Sequence, residues 1–190
     1  MEDIQVAVLI GTTREQRKSV HAAQFVADFG NSIDGVAAFL VDPKDFTFNG
    51  DGNDPEGQDP RYTELIKKAD AFFIVTPEYN HSFPGSLKRM LDSELDPYIH
   101  KAVAFAGVSS GRFAGVRAIE QLVVAVRELG LIPTFTDMHF PRVQELFDAN
   151  GALQDESYNT YVEAAWTELI WMAKTLNDGR KNIPSKYHKN

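Results

Sequence analysis

A doubly wound α/β fold, with a five-stranded parallel sheet between two layers of helices, is what this 190-residue sequence predicts. Three observations lead there. Short, nearly continuous apolar runs recur along the chain, as strands buried on both faces require. Stretches with a helical period separate them, and a strand–helix alternation repeated about five times implies right-handed crossovers. Each clear run also stops at a loop rich in Gly, Ser, Thr or Pro, the side of such a sheet on which ligands bind.

The elements follow in order. Ile4–Ile10 (IQVAVLI), Ala71–Thr76 (AFFIVT) and Lys101–Val108 (KAVAFAGV) are the clearest strands, Gly35–Val41 (GVAAFLV) is a further one, and Ile132–Phe140 (IPTFTDMHF) reads as a weaker, continuous last strand. Helices are expected over Ser19–Phe29, Arg61–Ala69, Pro84–Leu95, Ala114–Leu129 and Ser157–Leu176. In the fourth, Val116, Ile119, Leu122, Val123, Val126 and Leu129 recur at spacings of three and four, and Gly130 stands where a left-handed cap would end it. Asp42–Pro60 (DPKDFTFNGDGNDPEGQDP) has no period and reads as a long surface loop. One domain over residues 1–190 is expected, with 177–190 as a frayed tail.

Composition narrows the chemistry. A net charge of −8 argues against a nucleic-acid partner or a basic membrane-adsorbing face, so an anionic ligand would need a local cluster of donors. There is no cysteine, which excludes disulfides, thiolate catalysis and cysteine-held clusters, and leaves any redox chemistry to a cofactor. The five histidines form no i, i+4 ligand pair, and no metal site is expected. The start MEDIQVAVLIG lacks a basic leader, and no run approaches the roughly 18 apolar residues of a membrane span, so a cytoplasmic location is the expectation.

Three loops carry candidate chemistry. After the first run, Gly11 allows a tight turn; Thr12, Thr13 and Ser19 offer hydroxyls; and Arg14, Arg17 and Lys18 bring positive charge to a helix start, where free N–H groups already favour an anion. Alone, such a turn is also compatible with a solvated basic surface. After the third, TPEYNHSFPGSLK sets Tyr79 on a proline-stiffened turn, with Ser82 as a candidate helix cap and Pro84 in the first turn. A flat aromatic beside backbone amides suits a planar heterocycle, and it equally suits a tyrosine closing the sheet edge. After the fourth, Ser109, Ser110, Gly111 and Arg112 lie in a small-residue loop that lets a ligand approach the backbone. Gly107–Gly111 also matches the G-x-S-x-G nucleophile elbow, with Asp137 and His139 downstream. A hydrolase is disfavoured, because an elbow serine leads directly into its helix, whereas here the helical period begins later.

Taken together, these residues resemble the NAD(P)H-dependent FMN reductase family. The resemblance is carried by Gly11-Thr12-Thr13-Arg14, by Pro77-Glu78-Tyr79-Asn80-His81-Ser82-Phe83-Pro84-Gly85-Ser86-Leu87-Lys88, and by Ser109-Ser110-Gly111-Arg112 with Gly115-Val116-Arg117, over about residues 4 to 135. It implies a flavodoxin-like fold with strand order 2-1-3-4-5, whose switch point lies between the loops after strands one and three. It puts the FMN phosphate on Arg14, Ser19 and the backbone near Val20, together with Arg17. The isoalloxazine ring would lie against Pro77, Glu78, Tyr79 and Asn80, with Ser110 and Gly111 closing the other side. The chain departs from the family pattern in Thr12, where a serine is usual, and in Glu94-Leu95-Asp96-Pro97-Tyr98 before the fourth strand.

The activity so implied is hydride transfer from NADPH or NADH through FMN to a small-molecule acceptor such as a free flavin, quinone, azo compound or metal oxyanion. No side chain is nominated as catalytic, because the flavin does the chemistry. A homodimer or homotetramer is implied, with Phe46, Phe48 and Phe83 as candidate contacts. A flavodoxin-like electron carrier without its own NAD(P)H turnover is the alternative, although flavodoxins resemble Thr-x-Thr-Gly-x-Thr in the first loop, where this chain has Arg14 and Arg17.

Overall fold

The structure is a computed structural model and describes residues 3–188. Five strands run parallel in the order expected: β2 (Val36–Val41), β1 (Ile4–Ile10), β3 (Ala71–Pro77), β4 (Ala102–Val108) and β5 (Ile132–Pro133). Every residue of β3 and β4 is buried, which accounts for runs that do not alternate between apolar and polar.

The pleat still sorts these residues between two cores. Val6, Val8, Ile10, Phe73 and Val75 face α1 (Ser19–Asn31) and α6 (Tyr158–Asn182), where Trp166 is fully buried and donates Nε1–H to the carbonyl of Val26 at 3.0 Å. Ala7, Leu9, Phe72 and Ile74 face α2 (Pro60–Lys68), α3 (Gly85–Asp92) and α4 (Val116–Glu128). Gly130 follows α4 at φ +80°, as a left-handed helix end requires.

The last strand is where expectation and structure part. Ile132–Phe140 is not continuous: β5 pairs with Ala102 and Val103, and a separate strand, β6 (Met138–Phe140), pairs with Ala106–Val108. Two more residues lie between these pairings on the outer strand than on β4, so the chain bulges at Thr134–Asp137 and leaves Phe135 85% exposed. Pro133, which cannot donate to a ladder, sits on this edge.

The tail differs as well. α6 extends through Asn182, so Asn177–Asn182 is helix rather than frayed chain, and Asn177 and Arg180 both donate to Asp70 Oδ1, at 2.9 and 3.3 Å. Residues 189–190 of the expected tail lie outside the described residues.

The Asp42–Pro60 loop folds onto the protein. Arg89 of α3 donates to the carbonyls of Asn49 (2.6 Å), Gly52 (2.8 Å) and Gly57 (3.2 Å). Phe46 and Phe48 pack edge-on against buried Tyr62, with ring centroids at 5.5 and 5.2 Å, and Phe83 packs against the same core. All three therefore make contacts within the chain. In the segment Glu94–Tyr98 the two ends turn inward, with Glu94 buried and Tyr98 fully buried, its hydroxyl 2.5 Å from that of Tyr62, while Leu95 and Asp96 stay exposed.

Candidate functional site

The first wall of the site is the segment from Gly11 to α1. Gly11 packs so closely on β3 that a Cβ there would meet Thr76 Cα at 2.8 Å, and this brings the turn over the sheet end. Thr12 is buried; its Oγ1 accepts from the backbone N–H of Arg14 at 3.2 Å and shares a 3.1 Å hydrogen bond with the hydroxyl of Tyr79. Arg17 donates to the carbonyl of Thr12 at 2.9 Å and is ion-paired with Asp42, so its guanidinium braces the turn.

α1 begins with no capping side chain and no acidic residue in its first turn, unlike α2, whose start is capped by Asp59 accepting from Arg61 N–H at 3.0 Å. Its first N–H groups therefore have no partner within the helix. Ser19, the first helical residue, is buried, and its Oγ has no hydrogen-bond partner among the described residues. A buried hydroxyl facing an uncapped, positively charged helix end fits a phosphate.

The second wall is the turn after β3. Tyr79 and Ser82 exchange both backbone hydrogen bonds, at 2.8 and 3.0 Å, around Asn80 and His81 at φ +52° and +65°. Two positive φ values in a two-residue loop mark a type I′ hairpin, for which asparagine is a favoured first residue. The turn points Asn80 to solvent and sends the Tyr79 ring back over the β1 loop, with the Arg14 guanidinium 6.0 Å from the ring centre. Ser82 does not cap α3: Pro84 occupies the cap position, and no side chain bonds the helix start. The Glu78 side chain is 7% exposed and ion-paired with Arg117 of α4, and its Oε2 lacks a partner among the described residues.

The third wall follows β4. Ser109 Oγ donates to the carbonyl of Gly111 at 2.8 Å and accepts from Ala114 N–H at 2.9 Å, so the hydroxyl is engaged in folding the loop. His139 points Nδ1 at the carbonyl of Ala114 (3.3 Å) rather than at Ser109, which removes the hydrolase reading. Gly107 and Gly115 (φ +75°) touch through their backbones, since a Cβ on Gly107 would lie 2.2 Å from the Ala114 carbonyl, and the loop is thereby pressed onto the sheet end. Short helix α5 (Val143–Leu146) closes this side, with Gln144 donating Nε2–H to Ser110 O at 3.2 Å.

These walls enclose a crevice of about 490 Å³. Of the expected residues, Arg14, Arg17, Ser19, Pro77, Glu78, Tyr79, Ser109 and Ser110 line it. Thr12 stands behind Tyr79, while Thr13, Val20, Asn80, Gly111 and Arg112 do not line it. Lys18, expected to bring positive charge there, lines it too, and Glu15, Gln16, Val108, Val143 and Gln144 line it without having been singled out as ligands. Applying the carboxyl-end rule to the last strand as well would have pointed to Val143 and Gln144.

Known proteins agree with this architecture. The chain is 30% identical over 193 residues to an NAD(P)H:quinone oxidoreductase of Solanum tuberosum, an alignment covering 91% of this chain and 94% of that protein. It is 29% identical over 184 residues to a quinone reductase of Pseudomonas putida, covering 86% and 95%. The solved structure of FerB, a flavoenzyme NAD(P)H:acceptor oxidoreductase from Paracoccus denitrificans, superposes with a TM-score of 0.74 at 20% identity, covering 90% of this chain and 97% of that one. The model of the NADPH-dependent FMN reductase family matches residues 4–142, and the chain belongs to that family.

Proposed function

We propose that the crevice binds FMN and that the protein reduces small quinone-class acceptors at the expense of NAD(P)H. The observation that carries this is the pairing of an uncapped α1 start and an unpartnered buried Ser19 hydroxyl with Arg14 and Lys18, in a protein that is acidic overall. Ser19 Oγ, the N–H groups of Ser19 and Val20, and the two basic side chains would hold the phosphate. Arg17, committed to Thr12 and Asp42, acts on the phosphate through the shape of the turn.

The isoalloxazine ring would lie between Pro77–Tyr79 and Ser109–Ser110, with the loop backbone and Gln144 at its edge. Bound FMN would supply two-electron transfer between NAD(P)H and the acceptor, with one NAD(P)H and one proton consumed per quinone reduced to hydroquinone. A crevice lined on one side by Pro77–Tyr79 and on the other by Ser109–Ser110 would admit donor and acceptor in turn rather than together, and ping-pong kinetics are expected. The quinone reductase relatives support the acceptor class. A homo-oligomer in the cytoplasm is part of this reading, and no helix among the described residues is long and apolar enough to cross a membrane.

Anaerobic titration tests it. The FMN-loaded protein is expected to bleach on adding NADPH or NADH and to regain its absorbance on adding a benzoquinone. Protein that cannot be loaded with FMN removes the reading, and bound flavin that stays oxidised with both dinucleotides replaces it with the electron carrier.

A further inference from the structure

Beside the crevice lies a feature that FMN binding does not use. Phe113 is 53% exposed on the loop after β4, and two guanidinium groups stand close to its ring, Arg112 at 5.1 Å and Arg117 at 4.9 Å from the centroid. The two cations are therefore within roughly 10 Å of one another, a separation at which their repulsion is only partly screened. Arg117 is offset by Glu78, whereas Arg112 has no carboxylate partner among the described residues. No acidic residue stands in the first turn of α4, which begins three residues after Phe113. In a chain of net charge −8, an exposed aromatic ring flanked by cations suits a ligand that joins an aromatic base to phosphate.

The patch is continuous with the crevice. Ser110 lines the crevice, and three residues of chain cannot carry Phe113 more than about 11 Å from it. Arg117 links the two directly, since it touches the Phe113 ring on one side and is ion-paired with Glu78 of the crevice wall on the other. A hydride donor whose nicotinamide lies over a ring in the crevice must lay its other half on the surface just outside.

We propose that Arg112, Phe113 and Arg117 form the docking platform for the adenosine-phosphate half of the nicotinamide dinucleotide, with adenine on Phe113 and phosphate on Arg112. This rests on the FMN and NAD(P)H reading above. It makes Phe113 and Arg112 determinants of donor affinity, and it gives Arg117 a second task as the strut between platform and crevice.

The test uses adenosine 2′,5′-bisphosphate, which lacks a nicotinamide, titrated calorimetrically into FMN-loaded protein. Phe113→Ala and Arg112→Ala should each weaken its binding about tenfold, and Phe113→Trp should restore the loss seen with Phe113→Ala. FMN affinity, read separately from quenching of flavin fluorescence, scores the flavin site by itself. Wild-type protein that binds the bisphosphate but no FMN would fault the flavin assignment and leave the platform standing. Unchanged bisphosphate affinity in both variants overturns the platform. So does a Phe113→Ala protein that changes oligomeric state on sedimentation while keeping its nucleotide affinity, because the ring is then a contact with a second copy.

Discussion

At the amino end of the sheet Asp70 accepts from the backbone N–H of Gln5 at 3.0 Å and from Asn177 and Arg180, while Lys101 Nζ donates to the carbonyls of Ile66 and Lys67 at 2.9 and 3.2 Å. At the carboxyl end Ser19 Oγ and Glu78 Oε2 are just as hidden from solvent and have no partner among the described residues. A buried polar group without a hydrogen bond costs about 1–3 kcal/mol. The amino end also has one such atom, His188 Nδ1 beside His100, so the contrast lies between Asp70 and Lys101, whose polar atoms are closed against neighbours, and Ser19 and Glu78, whose unpartnered atoms belong to residues lining the crevice.

Three perturbations, from the largest expected effect to the smallest, break or sharpen that contrast. Trp166→Ala empties a fully buried site against Gly30, where a Cβ would already lie 2.3 Å from the indole, and should cost about 3–5 kcal/mol. Thermal unfolding should fall by roughly 8–15 °C, with FMN affinity within about twofold of wild type. A parallel loss of flavin binding would show that the two ends are not separable.

Ser19→Ala tests the other end and should act in the opposite sense. Removing an unpartnered hydroxyl leaves the melting temperature of the flavin-free protein unchanged or raised, while FMN binding weakens by about 1.5 kcal/mol, or about tenfold. A destabilised flavin-free variant with normal FMN affinity would reverse the assignment.

The third concerns pH. Burial, with a smaller push from Arg180 opposed by Asp70, lowers the Lys101 ammonium from its ordinary 10.5 to about 8. Between these values the unfolded chain holds the proton more often than the folded one, so stability rises with pH across this window. Wild-type protein should therefore gain stability relative to Lys101→Met between pH 8 and 10.5 in denaturant titrations. A flat difference would mean that Lys101 is better solvated than its position implies.

Much of this was legible in the sequence because the signals were local. β1, β3 and β4 announced themselves as short apolar runs, and Asn80 and His81 sit in a turn whose residues can adopt a positive φ. What was hidden depended on partners far along the chain. Arg17 lines the crevice as the sequence suggested, but its ion pair with Asp42, 25 residues along the chain, could not be read from the loop. Phe46 and Phe48 stand in a loop without a period, and their packing on Tyr62, which leaves both partly exposed, could not be read from it. The bulge in the last strand comes from register against β4, which no pattern within Ile132–Phe140 encodes.

The Thr12–Tyr79 hydrogen bond has a mechanical meaning. It rivets the loop after β1 to the loop after β3, so two of the three walls of the crevice are joined side chain to side chain. The loop Ser109–Gly111 is held by the Ala114 N–H on Ser109 Oγ, by Gln144 on Ser110 O and by the Ser109 N–H on the carbonyl of Phe140 at the end of β6, and the Glu78 N–H on the carbonyl of Val108 ties its base to the wall after β3. The loops that end β1, β3 and β4 are thereby laced to one another at the carboxyl end of the sheet, so a change in any one of them is felt by the other two.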